Sequence, residues 1–234
     1  VMYPILSENE VTLISADPKA GKTLVSQTLA MHISTGRDLA GLKVAEQRPV
    51  FYFALESQVA IRKRLEAWVQ FHDPNGGDKL KEQMQLYVSE GGVNMMDEAA
   101  RIDLANRLAA TEKWFERRLE AQPLGAIVID TLTKAMPGGD QNSVEDTSAV
   151  FDIIAKIREV GLRAPVIIIH HNTKGSSAPR GSGNIQAEPD TLLTVSKKEE
   201  TGQLELKVLM ARSIDDTQSY LFNIETEHLG VTEQ

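Results

Sequence analysis

The segment "ADPKAGKT", Ala16 to Thr23, ends as a phosphate-binding loop ends. Such a loop needs Gly, four residues, then Gly-Lys-Ser/Thr. Gly21, Lys22 and Thr23 fit, while Ala16 stands where the first Gly is expected. Consecutive backbone N–H groups ahead of a helix can wrap an anion. In this pattern Lys22 reaches the β- and γ-phosphates, the Thr23 hydroxyl coordinates Mg²⁺, and Gly21 lets the backbone come close. The first Gly mainly eases the turn out of the strand, so Ala is tolerated while φ stays negative. Asp17 is an unusual neighbour for a phosphate, and Lys19 offsets it. The bland alternative is a strand–turn–helix junction that happens to contain Gly-Lys-Thr. The flanks argue against it: "EVTLIS" (10–15) is β-rich, and "KTLVSQTLAMHIST" (22–35) has helical spacing that stops at Gly36. Ala16, Asp17, Pro18, Lys19, Ala20, Gly21, Lys22, Thr23 and Leu24 are therefore the expected nucleotide loop, with ATP and Mg²⁺ as its ligands.

Polar residues stand at the ends of further apolar runs. Asp130 closes "GAIVID", where a carboxylate can hold the Mg²⁺ shell. Glu56 closes "PVFYFALE", where a carboxylate can orient and deprotonate an attacking water. His170 and His171 close "APVIIIHH", where a polar group can sense the γ-phosphate. Each has an ordinary reading as well: a turn Asp, a Glu at a helix start, histidines capping a carbonyl. Together they are harder to dismiss, because open α/β sheets bind ligands outside the carboxyl ends of their strands. Zinc is not expected. Adjacent strand residues face opposite ways, and His32, His72 and His228 are scattered.

The elements that must position these residues follow the same pattern. Short buried strands alternate with helices, such as the amphipathic "VEDTSAVFDIIAKIREV" (144–160). That alternation predicts an α/β fold with a mainly parallel, twisted sheet flanked by helices. "DTLLTVSK", "QLELKVLMAR" and "SYLFNIE" read as three late β segments, the first two joined at "EETG", adding antiparallel strands at one edge. Residues 57–123 read as a helical insertion, broken at "HDPNGGD", with one short strand "MQLYVS" (84–89). Residues 37–48, 131–143 and 172–188 read as loops, the last polar and mobile. One domain over 1–234 is expected.

The chain has 234 residues, a net charge of −8 and no Cys. Disulfides and thiolate zinc sites are thereby excluded, and a reducing cytoplasm fits. An acidic balance argues against a broad basic nucleic-acid surface but leaves room for a local basic groove. The opening "VMYPILSENE" has no basic n-region or apolar h-region, so it does not read as a signal peptide. No apolar run approaches the about 20 residues that cross a bilayer, and no membrane partner is expected.

These motifs resemble the RecA-type ATPase core, in the branch of DnaB-type replicative helicases and RepA-type plasmid and phage helicases. The resemblance runs through "ISADPKAGKT", "LKVAEQRPVFYFALES", "AIVIDTLTKAMPGGDQNS", "VIIIHHNTKG", "PRGSGNIQAEPDTLLTV" and "VLMARS". It implies a RecA-like P-loop fold with Lys22 and Thr23 on phosphates and Mg²⁺, Glu56 as catalytic base and Asp130 as Mg²⁺ carboxylate. It implies His171, rather than His170, as the sensor. "VLMARS" is similar to the family's Lys-x-Arg arginine-finger segment; Met210 replaces the Lys and Arg212 is kept. Arg212 would then act in a neighbouring subunit's site.

The resemblance also implies DNA-contacting loops after Asp130 and His171, here 131–148 and 172–188. The second carries Lys174 and Arg180 with no acid before Glu188. Copies of it around a pore would form a positive ring able to track phosphates. The implied protein is a homo-oligomer, a hexameric ring, acting on single-stranded DNA. A recombination mediator or filament ATPase, a non-translocating ATPase switch and a nucleotide-binding module without turnover remain as alternatives.

Overall fold

The apolar runs become the middle of one sheet. The computed structural model describes every residue except 57, 76, 90, 121, 174–177, 213–217, 228 and 230–234. The first elements are β1 (Met2–Tyr3), β2 (Val11–Ala16), α1 (Lys22–Thr35), β3 (Lys43–Val44) and β4 (Val50–Ala54). Then come α2 (Gln58–His72), α3 (Gly77–Gln83), β5 (Leu86–Ser89), α4 (Glu98–Leu119), β6 (Ala126–Asp130) and α5 (Leu132–Ala135). The remainder is α6 (Val144–Glu159), β7 (Val166–His171), α7 (Asn184–Ala187), β8 (Thr191–Lys197), β9 (Leu204–Ala211) and β10 (Ser219–Phe222).

Eight strands form the sheet in the order β10-β9-β8-β2-β7-β6-β4-β5. From β8 to β5 all pairings are parallel, and β9 and β10 add antiparallel strands at one edge. This is the α/β fold expected from the alternation of strands and helices, with the expected antiparallel extension. Residues 57–123 supply α2, α3 and α4, and their one strand, β5, joins the sheet edge beside β4.

Because side chains alternate along a strand, each central strand feeds two separate cores. Ile14, Val50, Tyr52, Val128, Ile167 and Ile169 pack with Val25, Leu29 and Ile33 of α1. Leu13, Phe53, Ile127, Ile129 and Ile168 pack with Leu104, Leu108, Val150 and Ile154 of α4 and α6. The central strands are apolar on both faces, which is why they read as continuous apolar runs rather than alternating ones.

Some local expectations shift. The strand expected to end at Glu56 stops at Ala54, so Glu56 lies on the following turn. The 37–48 loop contains β3, which pairs with β1. The 131–143 loop contains α5, and the 172–188 loop contains α7. That last loop is anchored in its described part. Ile185 is fully buried, Ser182 N–H donates to the Gln141 carbonyl at 2.8 Å, and Ser182 shares a 2.7 Å hydroxyl contact with Thr147. Gly181 is required there: its φ is +115°, and a Cβ would lie 2.5 Å from the Gln141 carbonyl oxygen. No helix among the described residues is long and apolar enough to cross a membrane.

Candidate active site

Strand register decides which side chains meet. Ala16, Ala54, Asp130 and His171 occupy the carboxyl ends of β2, β4, β6 and β7, paired across the sheet as Ala16↔His171 and Ala54↔Asp130. Asp130 and His171 share strand parity with Val128 and Ile169, so both face α1. His170 faces the other way. The loop between β2 and α1 rises over the same end.

Ala16 closes β2 in extended backbone, and its carbonyl accepts from Asn172 N–H at 2.9 Å. Extended geometry carries no penalty for a Cβ, so Ala replaces Gly without strain. Asp17, Pro18 and Lys19 are exposed, and Lys19 has φ 67°. Gly21 has φ 98°, and a Cβ on it would lie 2.9 Å from Leu204, so both conformation and space call for glycine. Gly21 caps α1 with no side-chain bond and no acid in the first turn, leaving the N–H groups at this helix end free for an anion. Ala20 and Leu24 pack on the α1 core, and Leu24 also borders a groove of 430 Å³ between α1, α2 and residues 221–227.

The candidate side chains converge just inside this loop. Lys22 is only 6% exposed, and its Nζ is 3.2 Å from His171 Nδ1. An ammonium can only donate, so Nδ1 accepts and Nε2 carries the ring proton. Nε2 points at Glu56 Oε1, 4.0 Å away. Glu56 Oε1 in turn accepts from Thr131 Oγ1 at 2.9 Å. Asp130, 3% exposed, faces Thr23 Oγ1 at 3.5 Å through Oδ1 and accepts from the Tyr52 phenol at 2.6 Å through Oδ2. Thr131 and Tyr52 were not among the sequence candidates. The usable signal for Tyr52 was a hydroxyl inside an apolar strand, two residues before a strand end on the same face.

Burial dominates the electrostatics. It pulls the Lys22 ammonium below the usual lysine range, only partly opposed by Glu56 and Asp130. It pushes the Asp130 carboxyl above the usual carboxylate range, with the Tyr52 bond opposing it. It lowers His171 too, helped by the charge of Lys22, which keeps the ring neutral. A buried cation and a buried anion, each short of counter-charge, fit the phosphates of a nucleotide and a divalent cation. Among the described residues no three His, Cys, Asp or Glu group together for a metal. Thr23 and Asp130 would hold Mg²⁺ with substrate oxygens and water completing its shell, as that ion prefers.

Other expected residues lie elsewhere. His170 is fully buried on the opposite face and donates from Nε2 to the Arg180 carbonyl at 2.7 Å. Arg180 is exposed and borders a cleft of 620 Å³ with Asp17, Pro18, His171, Asn172 and Thr173, beside the nucleotide loop. Lys174 and His228 lie outside the described residues. Arg212 is at the amino end of the sheet, where its guanidinium meets Asp190 at 3.5 Å and the Ala187 carbonyl at 3.2 Å. It is not part of the cluster in its own chain. Met210 packs, half-buried, against the α4/α6 core.

A sequence profile of the AAA domain family matches residues 1–177, a span that covers the loop, Glu56, Asp130 and both histidines. A search of curated proteins finds no match. The chain belongs to the AAA domain family and is a nucleotide-binding P-loop ATPase.

Proposed function

We propose that this chain is an ATP-hydrolysing, ring-forming motor, a replicative helicase that translocates on single-stranded DNA. One observation carries the hydrolytic part: Lys22, His171, Glu56 and Thr131 form a continuous line of contacts at 3.2, 4.0 and 2.9 Å beside the loop. Lys22 and the open α1 terminus bind the β- and γ-phosphates. Glu56, exposed to water and held by Thr131, orients the attacking water and takes its proton. Thr23 and Asp130 would hold Mg²⁺, which would supply charge neutralisation at the phosphate oxygens.

The motor part rests on how the site connects to the 172–188 loop. His171 touches Lys22, and its carbonyl accepts from Arg180 N–H at 2.9 Å. His170 holds the Arg180 carbonyl from the other face of β7. A shift of His171 would therefore be passed to Arg180, in the middle of the proposed DNA loop. Arg212, exposed and at the far end of the sheet from its own cluster, supports a finger acting in trans, and with it a homo-oligomer.

The test is the steady-state ATPase rate with and without single-stranded DNA, across protein concentration. Stimulation by DNA with a cooperative rise in specific activity is the expected result. Hydrolysis indifferent to both would leave the ATPase and replace the motor by a switch.

A further inference from the structure

Tyr52 has no role in the chemistry above, yet it is fully buried and its phenol makes the shortest side-chain contact to Asp130. We propose that Tyr52 is a positioning residue that orients the Asp130 carboxylate for the divalent cation. This rests on the reading of Asp130 as the metal carboxylate.

The argument begins with strand register. β4 and β6 run parallel with Tyr52↔Val128 and Ala54↔Asp130 in step. Tyr52 and Asp130 are thus on the same face of neighbouring strands, offset by one same-face position. The tyrosine ring spans that offset and delivers its hydroxyl to Oδ2 at 2.6 Å. A phenylalanine would fill nearly the same volume without burying a hydroxyl, which costs free energy unless bonded. Here the hydroxyl is bonded twice, since Ser26 Oγ lies 2.9 Å from it. With the phenol proton committed to Asp130, only Ser26 can donate in that second contact, and its one proton is shared with the Thr23 carbonyl 3.1 Å from its Oγ. Ser26 is itself fully buried on α1, one turn after Thr23.

The two carboxylate oxygens are therefore differentiated. Oδ2 is tied by a short, charge-assisted bond, and Oδ1 is left facing the Thr23 hydroxyl at 3.5 Å. Tying one oxygen fixes the carboxylate plane and presents the other beside Thr23. Partners of this kind typically change metal affinity by about 10–100-fold when removed.

The experiment titrates Mg²⁺ against the full chain with bound N-methylanthraniloyl-ADP, for wild type, Tyr52→Phe and Ser26→Ala. In Tyr52→Phe the nucleotide affinity in EDTA is expected to match wild type, while the Mg²⁺ concentration giving half-maximal tightening rises about tenfold. Ser26→Ala, which loosens the phenol without removing it, is expected to raise it by less, and it carries the test should Tyr52→Phe fail to fold. A half-saturation point equal to wild type in the folded variants overturns the assignment. So does an equal loss of affinity with and without Mg²⁺, which is what a general packing defect would give. Failure of wild type to bind the nucleotide would overturn the reading of the site itself.

Discussion

The two ends of the sheet treat charge in opposite ways. At the amino end, Arg48 pairs with Glu8 at 2.8 Å and with Glu46 at 2.6 Å, Arg163 reaches Glu8 at 3.1 Å, and Arg212 reaches Asp190. Burial alone would lower the Arg48 guanidinium, but its bonds to Glu8 and Glu46 more than reverse that. The Arg48 bond also lowers Glu8, despite partial burial. Arg48 and Glu8 are thus stabilised in their charged forms. At the carboxyl end, Lys22 and Asp130 are buried more deeply and remain under-compensated, so burial wins and pushes both toward neutrality. The difference separates charges paired within the fold from charges that burial leaves under-compensated.

The largest expected effect lies at the carboxyl end. Lys22→Ala should abolish nucleotide binding, read as loss of fluorescent-nucleotide signal; wild-type affinity would end the P-loop assignment. Arg212→Ala tests whether the amino end is wholly structural. If Arg212 is a finger, hydrolysis falls by about 10³-fold or more, and mixing with Glu56→Gln subunits restores part of it. Unchanged hydrolysis would leave Arg212 as a partner of Asp190 alone. Glu56→Gln should retain nucleotide binding and lose about 10²–10⁴-fold in kcat.

Smaller effects concern stability. His170 and His32 are held neutral by burial, each lowered from 6.5 to about 4. The unfolded chain takes up these protons first as pH falls. Stability is therefore full above pH 6.5 and declines toward pH 4, by on the order of 2 kcal/mol per histidine at pH 5. Thermal unfolding at pH 7 and 5 should show a shallower decline in His170→Asn or His32→Asn than in wild type. Smallest is Glu8→Gln. The depressed pKa of Glu8 means its stabilisation is present above its usual 4.5 and lost as pH drops further, and surface pairing limits it to about 1 kcal/mol. Melting profiles between pH 6 and 3 that superimpose on wild type would show the amino-end pairing to be energetically idle.

Much of the site was legible in the residues. "GKT" after a β-rich run identified the loop, and Asp130 and His171 closed strands as read. Glu56 lies beside His171 and Thr131 although its strand stops earlier, because a strand end and the turn after it present side chains to the same opening. Tyr52 and Thr131 were missed because nothing local marks them. A tyrosine in "VFYFA" reads as core, and only pairing with β6 brings its hydroxyl to Asp130. The polarity of 172–188 points to a mobile loop, yet its described part is anchored at Ser182 by Gln141 and Thr147, distant in sequence.

What the sequence by itself determined was local. Periodicity, glycine placement and the run of apolar residues specify strands, the α1 helix and the phosphate loop, because these depend on neighbours within one or two turns. Tertiary structure decided that His171 meets Lys22 while His170 is buried on the other face, that Arg212 meets Asp190 at the amino end, and which hydroxyl holds the Asp130 carboxylate. Those outcomes depend on strand order and register, and a one-residue change of register turns every side chain to the opposite face.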